Sequence, residues 1–151
     1  MTSDEVTELL TRAYLDELET VMNYLTNAIV LDGVHAEEVK ESLDEDVEEE
    51  LEHARILGHR LKQLEQPIPG SEQFEARQAS LQPPEDTTDV RSVIDGVLEA
   101  EEEAIETYRA LIDAADEAND PVTEDVAVTA LTDEEAHRTE FRGFKKDFPN
   151  D

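Results

Sequence analysis

Four residues from the first half of this chain reappear in the second half at a constant offset. Glu17, Tyr24, Glu50 and His53, each moved by 84 positions, fall on Glu101, Tyr108, Glu134 and His137. The internal spacing is kept as well, with 33 residues from Glu17 to Glu50 and 33 from Glu101 to Glu134. Each of the eight lies in a segment whose apolar residues recur at helical spacing, so polar groups interrupt stripes that should face a core. Such a pattern constrains the chain to a duplicated helical hairpin, with the same four groups brought inward twice.

The periodicity predicts four helices. The first spans about 4–31, capped by Ser3 or Asp4, with the stripe Leu10, Ala13, Tyr14, Leu18, Val21, Tyr24, Leu25, Ala28, Leu31 and Glu17 inside it. Asp32-Gly33 turns the chain. The second, about 36–66, carries Val39, Leu43, Val47, Glu50, His53, Ala54, Leu57, Leu61 and Leu64, and is ended by Pro67, Pro69 and Gly70. The third, about 90–118, holds Glu101 among Ile94, Val97, Leu98, Ala104, Ile105, Tyr108, Leu111 and Ile112. Asn119-Asp120-Pro121 leads into the last, about 122–146, with Val126, Ala130, Leu131, Glu134, His137, Phe141 and Phe144. Between the hairpins, 67–89 shows no sustained periodicity apart from a short helical turn expected around Phe74 to Ala79. A connection that long in a compact domain fits a crossover along a bundle. The expected fold is all-α: one domain (1–151), an antiparallel four-helix bundle of two hairpins (about 4–66 and 90–146) joined by the crossover 67–89.

Charge and composition exclude several functions. With 41 acidic and 12 basic residues the net charge is −29, which rules out nucleic-acid binding through a basic surface. Periodicity and 38% hydrophobic content argue for a folded protein whose acid coat is screened by ions, as in a salty, halophilic cytoplasm, rather than for disorder. There is no cysteine, so disulfides and thiolate metal sites are excluded. MTSDEVTELL lacks a basic, apolar leader and no run approaches a membrane span, so a soluble, cytoplasmic protein is expected.

Glu50 and His53 lie within ELEHA, and Glu134 and His137 within DEEAH; three residues apart on a helix, each pair aims a carboxylate and an imidazole at one point. Two Glu-x-x-His elements, each joined by a glutamate from another helix, form the ligand set of dinuclear carboxylate bundles. In so acidic a chain most glutamates belong on a solvated face, and Glu48, Glu49, Glu52, Glu102, Glu103 and Glu135 fit that reading. Glu17, Glu50, Glu101 and Glu134 interrupt apolar stripes instead. Four buried carboxylates without partners would be prohibitive, whereas two divalent cations neutralise them. Carboxylate and imidazole suit iron or manganese, and zinc could also bind. Glu50 and Glu134 would bridge two ions, with Glu17 and Glu101 terminal and each imidazole on one ion.

The stretches ELETVMNYL (17–25), ELEHA (50–54), EEEAIETY (101–108) and DEEAH (133–137) resemble the ferritin-like di-iron superfamily, bacterioferritins and rubrerythrins in particular. The resemblance covers all four helices and fills all six ligand positions. It implies binding of Fe(II) and its oxidation by dioxygen or peroxide, with a di-iron peroxidase or oxygenase acting on another substrate as the alternative. A rival of another class is a metal-free helical interaction module. By the same resemblance Asp133 orients His53 from the opposite hairpin, and Glu49, standing at the matching position, departs from the pattern and should weaken or lengthen the contact to His137. Tyr24 and Tyr108 resemble the family's tyrosines beside the ligands; the alternative for each is a core aromatic with a satisfied hydroxyl.

Leu51 stands where bacterioferritins place a haem-ligating Met, so no haem is expected, and Ala104 replaces an additional glutamate of rubrerythrins. Met22 reads as a packing residue, and His35 and His59 as solvent-exposed. Only five residues follow Lys146, and Pro149 would interrupt a fifth helix, so the expected homo-oligomer is a dimer through the outer faces of the first two helices at Leu9 and Ile56, or a dodecamer, rather than a cage of 24.

Overall fold

The computed structural model describes residues 3–148. Its helices are α1 (Asp4–Val30), α2 (Glu37–Gln63), α3 (Val90–Glu117) and α4 (Pro121–Lys145), with no strand among the described residues. At 25 to 28 residues each, they run about 40 Å, the length of the bundle. Helix α1 packs along α2 and α3 along α4, and contacts of α1 with α3 and of α2 with α4 close the four-helix bundle. None of these helices is long and apolar enough to cross a membrane. Pro149 lies outside the described residues.

Local chemistry sets the boundaries. Ser3 Oγ accepts from Val6 N–H at 3.1 Å, Asp89 from Ser92 N–H at 3.1 Å and Asp120 from Thr123 N–H at 3.0 Å, starting α1, α3 and α4. Helix α2 ends at Gln63, three residues before the expected boundary. There Gln66 N–H reaches Leu61 O at 3.0 Å and Glu65 adopts φ 59°, a left-handed stop usually built on glycine. Asn119, with φ 54°, closes α3 in the same way.

The crossover contains two short 3₁₀ turns, Ser71–Gln73 and Ala79–Leu81, in place of the helical turn expected around Phe74. The bonds that hold it come from α1. Glu19, buried, accepts the backbone N–H groups of Arg77 and Gln78 at 2.9 Å. Gln78 bonds Thr20 at 2.7 Å and Asn23 at 3.0 Å, while Asn27 donates to Leu81 O at 3.0 Å. On α3, Gly96 admits the backbone: a Cβ there would lie 2.4 Å from Ser80 O. This corrects the inner stripe of α1. Thr20, Asn23 and Asn27 are buried beneath the crossover, and Leu25, expected inside, is 45% exposed.

Two apolar clusters fill the bundle. One gathers Tyr24, Leu31, Leu43, Val90, Ile94, Val97 and Phe141, and the other Val6, Leu10, Leu57, Leu61, Tyr108 and Leu111. The six sequence-predicted ligand residues are buried as well, with bonds from Tyr24 and Tyr108 tying one cluster and then the other to them.

Candidate metal centre

Each helix contributes to this polar layer: Glu17 from α1, Glu50 and His53 from α2, Glu101 from α3, Glu134 and His137 from α4. All six are at most 6% exposed. One group of ligating atoms within 4.8 Å of one another comprises Glu17, Glu50, His53 and Glu134; a second comprises Glu50, Glu101, Glu134 and His137. Glu50 and Glu134 belong to both. The two imidazoles face them through Nδ1: His53 Nδ1 lies 3.4 Å from Glu17 and from Glu134, and His137 Nδ1 3.3 Å from Glu50.

The outer edge of each imidazole is held from the other hairpin. His53 Nε2 contacts Asp133 Oδ2 at 2.9 Å and His137 Nε2 contacts Glu49 Oε2 at 2.9 Å. A carboxylate only accepts, so each contact places a proton on Nε2 and turns Nδ1 inward. The lengthening expected from glutamate at position 49 is absent, because the longer side chain reaches from the rim of α2. Glu49 is therefore no solvated bystander. The carboxylates are steadied in the same crosswise fashion: Tyr24 donates to Glu101 Oε1, and Tyr108 donates to Glu17 Oε1 at 3.0 Å.

Burial, then the charges of Glu134 and Glu17, push Glu50 well above the ordinary carboxylate range. Burial, then Glu101 and Glu17, does the same to Glu134, against the opposing pull of His53 and Glu50. Burial pulls the imidazoles down, but the carboxylates beside them prevail: Glu134 and Glu17 lift His53 to about 11, and chiefly Glu101 lifts His137 to about 10. Burial and the adjoining carboxylates hold both tyrosine hydroxyls protonated.

Inward-facing atoms are left unpaired. Glu17 Oε2, both oxygens of Glu50, Glu101 Oε2, Glu134 Oε1 and the Nδ1 of both histidines are buried without a hydrogen-bond partner. Unpaired polar atoms in that number are costly in a folded core. Each is an atom of a kind that can ligate metal, and as a set they suit cations of N/O preference. The site could therefore hold metal ions.

A family model for the ferritin-like domain matches residues 7–150. The chain belongs to the ferritin-like domain family. No curated protein sequence matches it. Solved structures share the fold: a ferritin-like diiron-carboxylate protein from Bacillus anthracis is 23% identical, with TM-score 0.80, over 93% of this chain and 97% of that one. A dodecameric thioferritin from Bacteroides fragilis is 22% identical, with TM-score 0.80, over 95% and 85%. A Dps mutant from Listeria innocua is 16% identical, with TM-score 0.84, over 95% of each chain.

The sequence missed one residue of this ferritin-like site. Asp46, on α2 and 6% exposed, places Oδ1 3.3 Å from His137 Nε2. Burial raises its carboxyl to about 7, against the opposing pull of His137. One turn before Glu50 it lies on the inward face, but in a chain with 41 acidic residues nothing set it apart.

Proposed function

We propose that this ferritin-like protein binds two Fe(II) ions per chain and oxidises them with dioxygen or peroxide, as part of iron handling and protection from oxidative damage. The observation that supports it is the set of unpaired inward atoms, drawn from six side chains in two overlapping groups that share Glu50 and Glu134. Glu17 and His53 would serve one ion, Glu101 and His137 the other, with Glu50 and Glu134 shared between them; manganese or zinc would suit the same donors. Asp133 and Glu49 keep Nδ1 of His53 and His137 turned inward, where it can shed its proton to a metal, and Tyr24 and Tyr108 fix the rotamers of Glu101 and Glu17. Four carboxylates offset the charge of two divalent ions, so binding leaves little net charge buried. Iron supplies the one-electron chemistry, and each Fe(II) gives one electron to the oxidant.

Anaerobic loading with Fe(II) followed by air should give close to two ions per chain and a ferric absorption band. No bound iron, or one tight ion, would overturn the reading. His53→Ala or Glu134→Ala should lose one ion and most of the oxidation. Iron retained after repeated loading separates a store, with many ions per chain, from a two-metal enzyme.

The acid surface supports a salty cytoplasm as the working environment. There the thermal midpoint should rise between dilute and molar monovalent salt, as screening shortens to about 3 Å; equal stability without salt would exclude it. The assembly we propose is a homo-oligomer, a dimer or a dodecamer.

A further inference from the structure

The repeat that builds the two halves of the centre fails at one buried position beside it. Glu49 has Asp133 as its mate 84 residues on, but Asp46 has Ala130. Both are buried, Asp46 at 6% exposure and Ala130 at 4%. Around His137, Nε2 meets Glu49 at 2.9 Å and Asp46 at 3.3 Å. Asp46 Oδ2 is buried with no hydrogen-bond partner. Around His53, Nε2 meets Asp133 at 2.9 Å, and Glu49 also comes within 4.8 Å. Where Asp46 would have its counterpart, Ala130 borders a pocket of about 180 Å³ shared with His53, Ile56, Leu57, Asp125, Val126 and Thr129, and of the acids only Asp133 bonds His53 Nε2. The two ligand sets are matched residue for residue; the supports behind them are not.

We propose that Asp46 makes the two metal positions inequivalent, so that the position served by Glu101 and His137 takes a divalent cation first and holds it more tightly than the position served by Glu17 and His53. The proposal rests on the dinuclear reading above. A carboxylate behind an imidazole strengthens the donor nitrogen on the far side and adds negative potential where the cation settles. In a buried setting that potential is weakly screened. Ala130 supplies neither effect to His53. Asp46 is thus a positioning residue acting through His137, and the duplicated centre becomes a tight position and a loose one.

Calorimetric titration of the metal-free protein with Zn(II) or Co(II), which needs no turnover, tests this. The unaltered protein should take up two ions in two resolved steps. Asp46→Asn, which keeps the shape, should weaken the tighter step by about 10- to 100-fold and leave the looser one where it was. Asp46→Ala, which gives both halves alanine, should bring the two steps together, and Asp46→Glu should restore their separation in part. With Asp46 intact, His137→Ala should abolish the tight step and His53→Ala the loose one, a pair that decides the matter even if the Asp46 variants fold poorly. Two ions of indistinguishable affinity, unchanged steps in Asp46→Asn, or loss of the tight step in His53→Ala would overturn the proposal while leaving the dinuclear centre standing. Uptake of fewer than two ions would overturn both.

Discussion

His53 on α2 and Asp133 on α4 come from different hairpins, and the 2.9 Å contact between His53 Nε2 and Asp133 Oδ2 fixes the imidazole edge that faces away from the centre. Asp133 sits at the rim and touches no other sequence-predicted ligand at hydrogen-bonding distance. Asp133→Ala should therefore leave the helical content and thermal midpoint of the metal-free protein nearly unchanged. It should weaken binding of one divalent ion by about 10- to 100-fold. Unaltered binding in a calorimetric titration would show that packing alone orients His53.

The metal-free protein should grow less stable as pH rises. Glu50 and Glu134, raised by burial and by neighbouring carboxylates, keep protons in the fold that they release when unfolded. Their contribution is full at low pH and declines above the ordinary glutamate range. Despite burial, neighbouring carboxylates hold His53 and His137 at about 11 and about 10, so the stability they add is complete below 6.5 and is lost as pH climbs through those values. Both effects have one sign. At about 1 M salt, where surface repulsion is screened, the midpoint should fall between about pH 5 and about pH 9. Metal loading should flatten or reverse the slope, since ligands must shed protons to bind. Glu50→Gln, neutral at every pH, should raise the apo-protein by about 1–3 kcal/mol near pH 8 and lose two-ion binding. A flat apo profile would show that the cluster holds no extra protons.

Glu65 occupies a left-handed conformation at φ 59° just beyond α2. Glycine there removes a strain that a β-carbon imposes, so Glu65→Gly should stabilise the protein by about 0.5–1 kcal/mol. At this chain length that is roughly 1–4 °C in thermal midpoint. Destabilisation on calorimetry would mean that the Glu65 side chain makes a contact worth more than the strain.

Self-association should use the outer face of α1. Residues 20–31 contain no charged side chain in a chain of net charge −29, and Met22, Leu25 and Ile29 stand 60%, 45% and 68% exposed. Like-charged copies can approach closely only where acid is missing. Of the two residues expected at an interface, Leu9 packs against the core, while Ile56 is 37% exposed beside the pocket between α2 and α4. Leu25→Glu with Ile29→Glu should shift the light-scattering mass at high salt to that of one chain, with metal binding kept. An unchanged assembly would place the interface elsewhere.

Much of the fold was legible because helical periodicity and the 84-residue offset act locally along the chain. The ligand residues stood out for the same reason: a carboxylate inside an apolar stripe contradicts its surroundings. What stayed hidden depends on a third dimension. Nothing in the spacing of Glu19, Asn23 and Asn27 says that a crossover lies over them and turns a polar face inward. Asp46 is an acid among acids, set apart only by its distance from His137. The end of α2 was misplaced because a glutamate does the work of glycine there, against its own preference.

The hydrogen bonds around the centre run crosswise: His53 to Asp133, His137 to Glu49, Tyr24 to Glu101, Tyr108 to Glu17. Neither hairpin can satisfy its own polar groups, yet each is complete as a donor to the other. Separately expressed pieces, residues 1–89 with the crossover and 90–151, should therefore complement each other, and a two-fold pair of one hairpin already holds the glutamates, histidine and tyrosine that the centre uses. Beyond the bonds the crossover makes to α1, the covalent link contributes concentration and turns an encounter between two molecules into a fold.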